Sequence, residues 1–320
     1  MVPTDTSRLQ NFPVSWFAMV MGLAGLTLAL HRAEMVFELN NTASVVLLTL
    51  AIAVFISLAA LYLLKIIRYP QHVRAELNHP VKLNFAPTIS IGLVLISIAM
   101  LPHQKSASLL IWGVGAALHL CFTLYVLSAW IHHTHFEINH MNPAWFIPIV
   151  GNILVPIAGV QHGFVELSWF FFSIGLVFWI VLLAIIFNRM FFHHPLPGKL
   201  LPTLFILIAP PGIGFISWMQ LNGELDAFAR ILYYSALFLT LMLFTQASRF
   251  LKLQFFLSWW AYSFPMAAVT LATLSMYQLL GNPFFKWLGA ILLVLLVVLI
   301  TGLLARTAVA VARREICIDE

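Results

Sequence analysis

Twelve histidines are the most chemically capable side chains of this chain. They crowd into polar connections: His72, His79, His132, His133, His135, His140, His193 and His194 all fall between apolar stretches. In "HFEINH", His135 and His140 stand five apart, and clustered imidazoles can hold transition metals. A membrane metal oxygenase with a histidine-rich site is therefore one reading. No H-x-x-H-H box supports it, and the reading taken here is that the chain binds no metal and no other cofactor. Cys121 and Cys317 lie far apart and outside any C-x-x-C pair, which points to neither thiol chemistry nor a zinc site. His119, inside an apolar stretch, reads as a hydrogen-bonded packing residue, with proton sensing as the rival role.

The elements that carry these residues are dictated by composition. Hydrophobic residues make up 62% of the 320, and charged residues 8%. Soluble domains carry about a quarter of their residues charged. The chain is therefore an all-α polytopic membrane protein. Spans of about 17–25 apolar residues fall at 14–30, 43–64, 84–101, 107–130, 145–160, 164–188, 201–219, 226–248, 255–279 and 285–311. The fifth is short and interrupted. Loops are brief, so residues 1–320 form a single transmembrane domain. The opening MVPTDTSRLQNFP lacks the form of a cleaved signal peptide, so the first span is expected to be retained.

With the N-terminus cytoplasmic, twelve of the 16 Lys and Arg residues fall inside, and only Arg32, Lys105, Arg230 and Lys286 outside. That imbalance favours an even number of spans with both termini cytoplasmic. The net charge of +5 then reflects orientation, not a nucleic-acid partner. Glu34, Glu38, Glu166, Glu224 and Asp226 fall on the outer side and read as solvated loop charges.

Proline divides the spans into two kinds. Pro156, Pro210, Pro211 and Pro265 lie well inside spans five, seven and nine; Pro87, Pro148 and Pro202 lie in first turns of odd spans; Pro13 precedes span one. No even span has an internal proline. A first-turn proline costs little, because its missing N–H has no helical partner there. A mid-span proline is expensive in lipid and persists where protein or water covers the backbone. Even spans are thus expected to be straight and lipid-facing, odd spans kinked and internal. Five helices in each of two layers would surround an axis. The odd spans hold no Asp, Glu, Lys or Arg within these bounds, which favours weak, fast passage of ions over a tight coupling site.

The stretch SWWAYSFPMAAVTL (258–271) concentrates the argument. Pro265 cannot bond the carbonyl of Ala261, so a bend is expected beside Phe264. A bend there can aim the phenyl ring into an axis, where it would block passage sterically and by excluding water. Ordinary helix packing is the alternative for Phe264. Tyr262 points elsewhere on the helix, its hydroxyl seeking a polar partner or an interface.

Four stretches, HPVKLNFAPTISIG (79–92), NPAWFIPIVGN (142–152), LPTLFILIAPPGIGFISW (201–218) and SWWAYSFPMAA (258–268), together resemble the tellurite-resistance/dicarboxylate transporter family. The match is to the branch holding the plant slow-type guard-cell anion channels and their bacterial homologues, over about residues 11–280. The resemblance implies five helical hairpins in a quasi-fivefold ring, odd helices lining a pore in each subunit, assembly as a homotrimer, and a phenylalanine gate that corresponds here to Phe264. Pro265, Pro156, Pro210, Pro211 and Pro87 would shape the pore, and Phe85, Ser263 and Gly22 are further candidates to line it. The "NFAP" before Thr88 holds fewer aromatics than the plant pattern, and the short tails leave no place for the plant channels' phosphorylated extensions. The expected function is an anion-selective channel of a bacterial inner membrane, conducting small inorganic monovalent anions such as chloride or nitrate, and no enzyme. A proton-coupled C4-dicarboxylate carrier or a tellurite-resistance exporter on the same fold is the alternative, with the histidine-rich oxygenase a distant third.

Overall fold

The computed structural model describes residues 8–132 and 136–317; His133 and His135 lie outside them. Every regular element among the described residues is helical. Among the described residues nine helices are long and apolar enough to cross a membrane: Val14–Val36, Thr42–Arg68, Lys82–Met100, Lys105–His132, Val165–Phe192, Leu201–Asn222, Ala227–Phe244, Leu257–Leu280 and Pro283–Ala312. The shorter apolar segment Pro143–Gly159 lies between the fourth and fifth of these. These ten are called spans 1 to 10 in chain order.

The odd spans share a construction that the even spans lack. Each starts as a 3-10 helix and continues as an α-helix. In span 1 the seam follows Val14–Trp16, in span 3 Lys82–Phe85, in span 7 Leu201–Ile208 and in span 9 Leu257–Tyr262. Span 5 alternates twice, through Pro143–Trp145, Phe146–Val150, Gly151–Leu154 and Pro156–Gly159. The prolines stand at these seams. Pro87 is the N-cap of Thr88–Met100, Pro156 opens its short α-helix, Pro210 and Pro211 are the second and third residues of Ala209–Asn222, and Pro265 is the third of Ser263–Leu280. The expected mid-helix kinks are therefore corrected. At each site the chain is restarting as an α-helix, and a first-turn proline forfeits no α-helical bond.

Burial explains why such backbone is confined to odd spans. In the core windows of spans 1, 3, 7 and 9, 67–78% of residues are buried; in spans 2, 4, 6, 8 and 10 the share is 22–39%. The even spans are uninterrupted α-helices whose outward faces carry exposed apolar side chains such as Ile56, Leu110, Val177, Phe238 and Val298. Each odd span packs on the even span that follows it. The odd spans also touch one another in cyclic order, span 1 on 3, 3 on 5, 5 on 7, 7 on 9, and 9 back on 1.

Span 5 shows how the irregular backbone is satisfied. Thr123 Oγ1 of span 4 donates to the Pro148 carbonyl at 2.7 Å, and Trp112 Nε1 to the Val155 carbonyl at 2.9 Å. Asn152 Nδ2 bonds the Ile149 carbonyl at 2.7 Å, and Ser217 Oγ of span 7 donates to the Ile153 carbonyl. Side chains of neighbouring spans, with Asn152 of span 5 itself, thus replace the missing helical donors, which is the condition for broken backbone at membrane depth.

Three charged groups depart from the sequence reading. Glu34 is not a solvated loop charge: it is 4% exposed, and its carboxylate accepts from the Ser44 backbone N–H at 2.9 Å and from the Ser44 hydroxyl, capping span 2. Asp226 is half-buried and caps span 8 through Ala229 N–H at 2.8 Å, while Glu38, Glu166 and Glu224 are exposed as expected. Lys65, one of the twelve cations expected on the cytoplasmic side, is buried at the end of span 2. Its ammonium lies 2.7 Å from Glu76 and donates to the Phe12 carbonyl at 2.8 Å. Glu76 also accepts from the Val14 backbone N–H at 2.7 Å, so this ion pair fixes where span 1 begins. At the opposite side, Gly223 (φ 78°) and Gly281 (φ 64°) end spans 7 and 9 in the left-handed conformation open to glycine.

Candidate functional site

Two cavities of about 40 Å³ each lie among the odd spans. Each has room for about one to three waters. The first lies toward the N-terminal ends of spans 1, 3 and 9. It is walled by Ser15 and Ala18 of span 1, Phe85 and Thr88 of span 3, and Leu257, Ser258, Trp260, Ala261 and Pro265 of span 9. The second lies further along the same spans, against Ile91, Phe146, Val150, Gly151, Ile153, Leu154, Ala209, Pro210 and Ile213. Four residues wall both: Met21, Ile147, Ile206 and Phe264, from spans 1, 5, 7 and 9. The cavities therefore meet at an apolar collar, and Phe264, 7% exposed, is its one aromatic member.

The seams deliver these side chains. Ile147 and Phe264 each immediately precede a proline, and Ile206 lies on the 3-10 run that ends at Ile208. A 3-10 turn takes 3.0 residues instead of 3.6, so side chains on the two sides of a seam stand at angles to each other that a continuous α-helix would not give. Trp260 walls the first cavity and is 1% exposed, its indole N–H bonded to Thr307 Oγ1 of span 10 at 3.1 Å. Tyr262 turns away, as expected, against Phe205 with ring centroids 4.7 Å apart. Its hydroxyl is buried without a hydrogen-bond partner among the described residues, contrary to the expected polar contact.

The other candidates divide. Phe85, Pro210 and Pro265 line a cavity; Pro87, Pro156 and Pro211 line neither. Gly22 and Ser263, expected to line the pore, line neither of these two cavities. They face each other across the span 1–span 9 contact, where a Cβ on Gly22 would run into the Ser263 side chain and come within 3.2 Å of Trp260. Met21, Ile147 and Ile206 escape sequence reading because nothing separates them from neighbouring Leu, Ile and Met. The one available signal is the X-Pro position that Ile147 shares with Phe264.

Among the described residues no charged side chain lines either cavity. Behind the second, His119 of span 4 is 1% exposed, with Nδ1 2.9 Å from Ser90 Oγ. Its Nε2 has no partner among the described residues and would lie 2.7 Å from a Cβ on Gly151. Outside the spans, His162 sits 3.1 Å from Ser108 Oγ, and burial, then Lys105, lower its pKa from the ordinary imidazole value. Among the described residues no three His, Cys, Asp or Glu side chains gather as a metal site would require.

A family model described as "SLAC1: Voltage-dependent anion channel" matches residues 11–308. An uncharacterised transporter of Methanocaldococcus jannaschii is 28% identical over 88% of this chain and 90% of its own. The S-type anion channel SLAH2 of Arabidopsis thaliana is 30% identical over 83% of this chain and 53% of its own, so the chain spans about half the length of that plant relative. A tellurite resistance protein TehA homolog of Haemophilus influenzae is 29% identical over 90% of this chain and 89% of its own. Together with the nine long apolar helices, these matches make the chain a multi-pass membrane protein.

Proposed function

This chain belongs to the SLAC1 voltage-dependent anion channel family, and from that premise we propose that it conducts small monovalent anions through a passage within each subunit. Phe264 closes that passage. The observation that carries the reading is the meeting of two cavities at one apolar collar to which this ring belongs. The cyclic contacts of the odd spans support a quasi-fivefold ring around the passage. Names of relatives, an S-type anion channel and a tellurite resistance homolog, support transport over catalysis.

An uncharged wall makes dehydration the main barrier, since a bare ion gains no countercharge there. Nitrate, less strongly hydrated than chloride, should permeate more readily, and a C4-dicarboxylate dianion least. Preference for anions has two supports. The five odd spans run parallel, so their dipoles place positive ends at the N-terminal side. Most Lys and Arg residues lie on that same side and raise the local anion concentration. The protein is read as one transmembrane domain of a bacterial inner membrane, with both termini cytoplasmic and three copies assembled.

A second reading, a proton-coupled dicarboxylate or tellurite carrier, draws on His119, a titratable group with a free ring nitrogen behind the second cavity. Voltage clamp of purified protein in planar bilayers separates the two. A channel current reverses at the anion equilibrium potential, whereas a carrier flux follows the proton gradient and saturates. Phe264→Ala should raise the anion current by more than an order of magnitude; wild-type current from normally assembled Phe264→Ala protein would overturn the gate.

A further inference from the structure

Phe264 does not stand free in the collar: one edge of its ring rests on span 1 at Gly25. A Cβ built on Gly25 would lie 3.2 Å from Phe264 Cδ2 and 2.8 Å from the Ala267 Cβ. The first is tighter than ordinary van der Waals contact, and the second is closer than real Cβ atoms approach. Gly25 is itself buried within the α-helical part of span 1 with an unremarkable backbone, so neither a turn nor a positive φ requires glycine there. What requires it is the approach of span 9. Three residues earlier, Gly22 serves the same helix pair differently. Its missing side chain makes room for Ser263 and Trp260, not for the collar ring.

We propose that Gly25 is the seat of the closing ring, a positioning residue that holds Phe264 in the collar by leaving a notch for its edge. This rests on the reading of Phe264 as the gate and names what keeps that gate shut. Met21, Ile147 and Ile206 bound the ring on the passage side, while the notch at Gly25 bounds it from span 1. A methyl group in the notch disfavours the observed ring position relative to every other one. The closed population falls, although the phenyl group is still present.

The test is a set of variants in the same bilayer recordings, with thermal unfolding of each purified protein. Gly25→Ala should raise the basal anion current several-fold. Ala267→Gly added to it removes the Cβ–Cβ collision and leaves the ring contact. That pair should recover stability and keep the raised current. In a Phe264→Ala background, Gly25→Ala should add nothing, because the group it acts through is gone. Gly22→Ala should lower stability without opening the passage. The proposal is overturned if Gly25→Ala, or its pair with Ala267→Gly, folds and carries wild-type or smaller current, or if Gly25→Ala raises the current of Phe264→Ala further. Should both Gly25 variants fail to accumulate, adding Phe264→Ala must restore them; continued failure means the ring is not what the methyl meets. A silent Phe264→Ala alone would instead sink the gate itself, which keeps the two failures distinct.

Discussion

Spans 9 and 10 are hairpin partners of opposite construction. Span 9 begins as a 3-10 helix, restarts as an α-helix with Pro265 in its first turn, and has 78% of its core window buried. Span 10 runs 30 residues, Pro283–Ala312, without interruption and has 28% buried. The same contrast separates all odd spans from all even ones. It teaches that backbone regularity here follows from the surroundings. A helix in lipid must satisfy its own N–H and C=O groups, whereas a helix enclosed by others can borrow partners. The enclosed layer is thereby free to change helical register, and register changes are what turn Ile147 and Phe264 toward the collar.

The harshest way to break this comparison is to give an even span what the odd spans carry. Leu295 lies in mid-span 10 and is 44% exposed. Leu295→Pro removes a helical bond with no neighbour to replace it, a cost of about 3 kcal/mol or more. Loss of membrane accumulation is expected, and recovery at wild-type yield would mean that even spans tolerate irregular backbone after all. The next test concerns charge. Glu76→Ala strips the partner from buried Lys65 and the acceptor from Val14 N–H, for an expected loss of about 3–5 kcal/mol. Glu315→Ala breaks an ion pair with Arg306 in which both side chains are 39% exposed, worth about 0–1 kcal/mol. Equal shifts in the two unfolding midpoints would deny that the first pair anchors span 1.

A finer test asks whether the borrowed partners matter. Thr123→Val leaves the Pro148 carbonyl and Asn152 Nδ2 each without a partner they now have, for about 1–3 kcal/mol. Ser57→Ala in span 2 removes only a hydroxyl bonded to its own helix at Ala53, and should fall within about 0.5 kcal/mol. If both variants unfold alike in detergent, span 5 does not depend on span 4 for its backbone.

Much of the two-layer arrangement was legible in the sequence. Apolar run lengths located ten spans, and the proline positions separated odd from even before any contact was known. The proline that follows Phe264 singled it out in the sequence, and its ring walls both cavities. The nature of the seams was not legible. A 3-10 and an α segment draw on the same apolar residues, and their choice is made by which neighbour supplies hydrogen bonds and space. For the same reason the packing of Gly22 against Ser263 was not legible. Small residues near an axis look alike whether they face a cavity or another helix, and only the crossing of spans 1 and 9 decides. Glu34 misled because a charge at a span end reads as solvated until Ser44 is found folded back over it.

Pro265 supplies the smallest thermodynamic effect and the most direct link between backbone and passage. In its first-turn position it forfeits no α-helical bond, so Pro265→Ala should change stability by no more than about 1 kcal/mol. The substitution nevertheless restores an N–H, and that donor lets the α-helix extend backward into Leu257–Tyr262. Successive residues advance about 120° in a 3-10 helix and about 100° in an α-helix, so converting three residues turns everything before the seam by about 60° relative to Phe264. Trp260 would then leave the wall of the first cavity and its bond to Thr307. The expected result is a nearly unchanged unfolding midpoint with altered conductance and altered tryptophan fluorescence. A variant silent in current and fluorescence alike would mean that the seam is held by the packing of spans 1 and 7 around it, with the proline following that register instead of setting it.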